Sequence, residues 1–254
     1  MLGIGTAIPF NQNVGNLVAP LNPLQMSSIC QLWYDFTDLS SLTLNGSNIE
    51  VVSNKGQGIN SDCRQVAVSK QPVSTFQEGQ YTARFDLRQQ QQLVSAQKFS
   101  VQTNGTFVII AKLNDEGTQS VYGMATMRNP NVNSMRLINN GANTTITQFT
   151  SGASATDSQA SSPLATNLHY SLYDINDNSN TLTAYFNGNA GASSNMTGVP
   201  ITTSANFYIG SSNTTSQYFN GDIFEIFYFP VSLTDTLLGE IKSYIETKYA
   251  IPQS

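Results

Sequence analysis

The chain has 254 residues, 39% of them hydrophobic and 10% aromatic, which suits one large folded domain and excludes disorder as its default state. Charged residues make up only 11% against roughly 25% in typical soluble domains, and Asn, Ser, Thr, Gln and Gly fill the gap. The net charge of −5 and the absence of a basic cluster argue against a nucleic-acid partner, and no stretch is long and apolar enough to span a bilayer.

Residues 1–26 carry no charged side chain. Gly3, Gly5, Pro9, Gly15, Pro20 and Pro23 break any helical or strand period, and no basic segment precedes an apolar run as a signal peptide requires. The segment reads as an extended N-terminal arm. Leu2, Ile4, Ile8, Phe10, Leu17 and Val18 would be its partner-binding side chains, ordered on another subunit or protein.

Residues 27–254 read as a single domain of short strands. Ile29 to Asp38 contains the only tryptophan, Trp33, in a strand-like run, so Trp33 is expected in the core. Ile49 to Val52, Arg64 to Val68 and Thr82 to Leu87 follow as short strands. Asn104-Gly105 opens a buried strand, Thr106 to Leu113. Val121 to Thr126, Ser134 to Asn139 and Thr144 to Phe149 come next, with a hairpin turn at Asn139-Asn140-Gly141. Ser151 to Thr166 is rich in Ser and Ala with little bulk, and reads as a surface loop. Leu168 to Ile175 and Thr181 to Asn187 form the clearest hairpin, ended by Asn187-Gly188.

The chain closes with its most informative stretch. Asn220-Gly221 launches a strand with two apolar faces. Strict alternation puts Ile223, Phe227 and Phe229 on one side and Phe224, Ile226 and Tyr228 on the other. Such a strand needs cover on both faces, so it belongs mid-sheet in a layered structure. Pro230 ends it. Thr234 is the expected N-cap of an amphipathic helix whose buried stripe is Leu237, Leu238, Ile241, Tyr244, Ile245 and Tyr249, with Glu240, Lys242, Glu246 and Lys248 mainly off it. The expected fold is all-β: a two-sheet antiparallel sandwich with one short C-terminal helix. Cys30 and Cys63 are expected as free thiols.

LWYDFTD, ARFDL, TFVIIAKL, a hairpin ending in YFNG, then FYIGSS, FNGDIFEIFYFP and a final helix follow one order. That order, over about residues 29–252, resembles the concanavalin A-like, laminin-G-like jelly roll, of the kind found in bacteriophage virion proteins. The resemblance implies a jelly roll with loops at the rims of a concave face. It also implies a non-enzymatic virion structural protein located on the virion, whose partners are other virion proteins through the N-terminal arm. The alternatives it implies are a glycan-binding module for host-surface attachment and a polysaccharide hydrolase; homo-oligomerisation stays open.

Hydrolysis of a glycosidic bond needs two carboxylates about 5–10 Å apart. Glucanases of this fold carry Glu-x-Asp-x-x-Glu along one strand. The chain offers only Asp222 and Glu225, which alternation puts on opposite faces, so no catalytic residue is expected. For glycan binding, Tyr218, Asn220 and Asp222, together with Asn187 and Gly188, supply an aromatic ring and polar groups. Asp174, Asn176 and Asp177 form an oxygen-rich cluster that suggests Ca²⁺, and Asp35 and Asp38 could also reach a rim Ca²⁺, although Asp and Asn are also ordinary turn and capping residues and the expectation is no cofactor. His169, the only histidine, has no nucleophile motif nearby and reads as a strand residue.

Overall fold

The computed structural model describes residues 25, 28–58, 61–98, 104–114, 121–129, 132–140, 146–151, 158–163, 167–176, 178–195, 205–211 and 217–251. The N-terminal arm with Leu2, Ile4, Ile8, Phe10, Leu17 and Val18, and Asp177, lie outside the described residues.

The strands, in chain order, are β1 (Leu32–Asp35), β2 (Leu42–Asn45), β3 (Asn48–Val52), β4 (Cys63–Arg64), β5 (Val73–Gln77) and β6 (Gln80–Phe85). Then come β7 (Leu93–Ser95), β8 (Gly105–Leu113), β9 (Val121–Asn129), β10 (Val132–Asn140), β11 (Ile146–Ser151) and β12 (Ser158–Pro163). The series closes with β13 (His169–Asn176), β14 (Thr181–Phe186), β15 (Asn189–Asn195), β16 (Asn206–Ile209) and β17 (Gly221–Phe229), followed by the helix α1 (Asp235–Tyr249).

All pairings are antiparallel. One sheet runs β5-β6-β17-β8-β13-β14-β15. Here β1 takes over the edge of β17 from β6 at Glu225. The second sheet runs β2-β3-β4-β7-β16-β9-β10-β11-β12. Among the described residues, the pairing Asn48↔Val73 and the isolated bridge Tyr34↔Asn54 join the two.

The two sheets enclose the main core. Phe107, Ile109, Ile223, Ile226 and Tyr228 of the first sheet meet Ile49, Val52, Leu93, Phe207 and Ile209 of the second. Rings stack through it: Phe107 on Tyr228 with centroids 4.7 Å apart, and Tyr34 on Phe207 at 5.6 Å. A second core lies on the outer face of the first sheet. There Trp33, Ile110, Leu172, Phe224, Phe227 and Phe229 are covered by Leu237, Ile241, Tyr244, Ile245 and Tyr249 of α1. The two-sided apolar character of β17 is thus satisfied by a sandwich on one face and a helix on the other, and all nine of its residues are buried. Thr234 caps α1, accepting from the Leu237 amide at 3.1 Å, and β17 stops at Phe229 before Pro230.

Three sequence expectations are corrected. The side-chain alternation of β17 is interrupted by a β-bulge between Ile223 and Glu225. Beyond it Ile226 and Tyr228 face the sandwich, with Ile223, while Phe224, Phe227 and Phe229 face the helix. One extra residue in a strand reverses the facing of everything after it. Second, Ser151 to Thr166 is not all loop: Ser158–Pro163 forms β12, paired residue for residue with β11. Third, Asn187-Gly188 does not end the hairpin but turns it into β15.

Candidate functional site

The bulge in β17 decides where the acids go. It brings Asp222 and Glu225 onto the same outer face, contrary to strict alternation. Asp222 is fully buried beside Arg84, whose Nε and Nη2 donate to its two oxygens at 3.0 and 3.1 Å. Such a two-pronged pairing occupies both carboxylate oxygens.

Glu225 lies beneath the last turns of α1. Tyr244 Oη donates to both of its oxygens at 3.1 Å, Tyr249 Oη donates at 2.8 Å, and Lys248 Nζ forms an ion pair with it. Across the strand pair, Asp35 sits opposite Glu225. Lys248 also reaches Asp35, at 3.3 Å, and Lys55 bridges Asp35 and Asp38 at 2.9 Å each. Burial raises the Asp35 carboxyl, but Lys248, Thr37 and Lys55 outweigh that and hold it below the ordinary carboxylate range. Hydrogen bonds from Ser40 and Lys55 hold Asp38 down to about 2. Lys55 also sits 4.2 Å from the centroid of Trp33. Lys248, expected off the buried stripe, is therefore the cation that lets two buried acids sit under the helix. Its long stem carries the charge inward along the helix surface.

Of the Ca²⁺ candidates, Asp174 and Asn176 bond within the chain. Asp174 accepts from the Leu233 amide at 2.7 Å, fixing the link between β17 and α1. Asn176 Oδ1 accepts from the Ser179 amide at 3.1 Å, which closes the β13–β14 turn. Among the described residues no group of three or more His, Cys, Asp or Glu could hold a metal ion.

The candidate sugar-binding residues lie at the start of β17 and the end of β14, and most of their described contacts are within the chain. Tyr218 is 6% exposed and pairs with Ser211. Asn220 lends its carbonyl to the Asn114 amide at 3.3 Å. Asn187 accepts from the Tyr170 amide at 3.0 Å through its side chain and donates to the Tyr170 carbonyl at 3.1 Å, while Gly188 is buried against Lys242 and Tyr170. Asp222 is closed by Arg84, and the one ring in this set, Tyr218, is buried and presents no open face to a sugar.

One exposed aromatic surface does exist, and the sequence reading passed over it. Phe76 and Tyr81 are cross-strand partners in the β5–β6 hairpin, 62% and 39% exposed. Their ring centroids are 5.3 Å apart and the planes stand at 76°, an edge-to-face pair. The two-residue turn Glu78-Gly79 has φ of 50° and 76°, the left-handed conformation of tight hairpins. The other side of the hairpin is tied down. Glu78 pairs with Lys112 at 2.6 Å, and Gln80 Nε2 donates to the Lys248 carbonyl at the end of α1 at 3.4 Å. The signal available in the sequence was the near-symmetric FQEGQY, with Gly at the second turn position and aromatics in register on either side.

Comparison with known proteins places this geometry in a family. The family model described as the concanavalin A-like lectin/glucanases superfamily matches residues 88–237, more than half of the chain. Domain 4 of AbnA, an extracellular arabinanase from Geobacillus stearothermophilus, is similar in structure at a TM-score of 0.52 and 15% identity, covering 85% of this chain and 99% of that one. The sialidase of Trypanosoma rangeli is similar at a TM-score of 0.51 and 12% identity, covering 89% of this chain but 35% of that one. A heptameric SAP-like pentraxin from Limulus polyphemus is similar at a TM-score of 0.50 and 12% identity, covering 60% of this chain and 75% of that one. A comparison with curated proteins finds no match. At these identities the solved structures speak to the fold, while the family model speaks to descent: the chain belongs to the concanavalin A-like lectin/glucanases superfamily.

Proposed function

We propose that this chain is a glycan-binding module that attaches to a carbohydrate-bearing surface without cleaving it. The superfamily joins lectins and glucanases, so the acids discriminate between them. The observation that carries the reading is the state of Asp35, Asp222 and Glu225. They share the outer face of one sheet, yet each is buried and paired with Lys or Arg. A glycosidase needs an acid that reaches the substrate and gives up a proton. Glu225 lies under a helix, with its oxygens taken by Tyr244, Tyr249 and Lys248. That state of the described acids favours binding over cleavage.

The structural neighbour from the arabinanase is in complex with arabinotriose, which supports an oligosaccharide as the class of ligand. Attachment to host-surface glycans keeps one of the alternatives drawn from the sequence. The virion placement, with an N-terminal arm toward other virion proteins, has no observation of its own in its favour, so glycan binding replaces it as the leading reading.

A glycan array probed with the full chain tests this, alongside an assay for reducing-sugar release on every glycan that binds. Binding to at least one glycan class without release is expected. An array with no signal, with and without added calcium, would overturn the proposal. Release of product by the wild type would replace binding with hydrolysis.

A further inference from the structure

We propose that Phe76 and Tyr81 form the stacking platform of the glycan site, and that the saccharide they accept is uncharged. This rests on the glycan-binding reading and assigns the binding surface within it. The hairpin precedes the residues matched by the family model, 88–237, so the platform belongs to this chain's own N-terminal strands rather than to the matched segment.

Three observations carry the assignment. First, two cross-strand rings stand in solvent, whereas the other described aromatic side chains are buried or half-buried. Of the large apolar residues with substantial exposure, only Phe76 and Tyr81 carry rings among the described residues. A cross-strand aromatic pair gives a hairpin only about 0.2–1 kcal/mol. Such a contact does not require rings this open. Second, the platform is held in place from behind. The Glu78–Lys112 ion pair and the Gln80–Lys248 hydrogen bond anchor the opposite side of the hairpin to the sheet and to α1, so the rings are presented on a fixed support. Nothing lies within 4 Å of a Cβ built at Gly79, so the tip itself is open.

Third, charge selects the ligand. Gln77 and Gln80, next to the rings along the strands, are neutral, and alternation turns them to the opposite side of the hairpin, where Gln80 bonds the Lys248 carbonyl. The one acid in the hairpin, Glu78, is already neutralised by Lys112. No unpaired cation in the hairpin awaits a carboxylate or sulfate. The fit is to a saccharide whose apolar C–H face lies on a ring and which brings no charge. A uronate or sialate would be taken from water with no counter-charge to meet it.

The test is calorimetric titration of the full chain with arabinotriose, cellotetraose and maltotetraose as neutral probes, and 3′-sialyllactose as the anionic probe. At least one neutral probe is expected to bind, with sialyllactose at least about tenfold weaker. Phe76→Ala and Tyr81→Ala should each weaken binding about tenfold or more, a difference of about 1.4 kcal/mol. Phe76→Leu and Tyr81→Leu keep an apolar side chain for the hairpin and remove the ring face, so they must show the same loss in a folded protein. Tyr81→Phe, which keeps the ring, should retain most of the affinity.

Neutral-probe binding that survives both leucine variants would place the site elsewhere and leave the glycan-binding reading standing. Preference for sialyllactose would overturn the neutral-ligand assignment alone. If none of the four probes binds but the array shows other glycans, the platform fails and the broader reading stands. A silent array overturns both.

Discussion

Asp35 and Glu225 sit directly opposite each other on β1 and β17, 2% and 0% exposed, and the ammonium of Lys248 lies against both. Two buried carboxylates side by side would repel and lose hydration with nothing in return. Lys248 from α1, helped by Lys55 on Asp35, supplies the missing charge, and Tyr244 and Tyr249 supply hydrogen bonds. The network therefore fastens the closing helix to the sheet by a polar contact set inside an apolar one.

Replacing Lys248 by Met should be costly for that reason. The apolar stem is kept and only the charge is lost, so the penalty reads the stranded carboxylates: on the order of 3 kcal/mol near neutral pH. Asp35 in the wild type is held below its unfolded value. It therefore contributes stability above the unfolded carboxylate pKa and loses it as the pH falls through the folded one. Without Lys248 the Asp35 carboxyl loses one of the causes that hold it down and titrates at higher pH, where protonation relieves it. The gap between Lys248→Met and wild type should narrow on acidification in urea melts. A gap that stays constant down to about pH 4, near the free carboxylate pKa, would mean the charges are not the cause.

How far the sequence anticipated this can be judged residue by residue. The strand Gly221–Phe229, the stop at Pro230, the Thr234 cap and the buried stripe of α1 were all legible, because each rests on a local rule of periodicity or capping. The bulge at Phe224 was not. It coincides with the point where β6 gives way to β1 along the edge of β17, a relation between segments far apart in the sequence with no local signature. Everything that depended on the bulge was misplaced with it: the facing of Phe227, and the side on which Glu225 lies. Lys248 looked like a surface residue because pattern rules weigh a lysine by its charge and not by the reach of its stem. Strand Ser158–Pro163 has no apolar alternation to reveal it, and its pairing partner Ile146–Ser151 supplies what its own residues do not. The hairpin with Phe76 and Tyr81 carried a readable turn, yet exposure of its rings is a property of the fold and not of the turn.

His169 makes the stability pH-dependent above the carboxylate range. Its Nδ1 lies 2.9 Å from the Asn167 carbonyl and its ring packs 5.5 Å from Phe186. Burial is the main cause that pushes its pKa down from 6.5 to about 4, against a smaller opposite effect of the Asn167 bond. The unfolded chain then takes up a proton below 6.5 that the folded chain refuses until about 4, so stability falls as the pH falls through that window. The loss should be about 2 kcal/mol between about pH 7 and about pH 5. His169 is the only histidine, so His169→Gln should remove most of the slope in that interval. An unchanged slope in the variant would assign the proton uptake elsewhere.

Cys30 and Cys63 are both buried and unpaired, one in the core beneath α1 and the other between the sheets. Burial pushes both thiols well above the ordinary range, which suppresses the thiolate. A thiol-specific reagent at neutral pH should therefore label neither cysteine in the folded protein and both in denaturant, and a reductant should leave the melting temperature unchanged. Rapid labelling of either one without denaturant would show that its core opens on a short timescale.

Gly210 is the tightest point of the sandwich rim. Its φ is 83°, its amide donates to the Met124 carbonyl at 2.7 Å, and its carbonyl accepts from the Phe219 amide at 2.9 Å. A Cβ there would lie 2.2 Å from Cδ1 of Phe85, a fully buried ring. Gly210→Ala meets two separate costs. The left-handed backbone costs an L-residue about 1–2 kcal/mol, and forcing a methyl into a packed ring costs about 1–3 kcal/mol. Denaturant melts should show a loss of about 2–5 kcal/mol, the sum of those ranges. The two costs separate in a double-mutant cycle with Phe85→Leu, which makes room for the methyl but leaves the backbone conformation alone. In that background Gly210→Ala should cost only about 1–2 kcal/mol, the backbone share. Equal penalties in both backgrounds would mean that the ring yields freely and that glycine is required at this position by conformation alone.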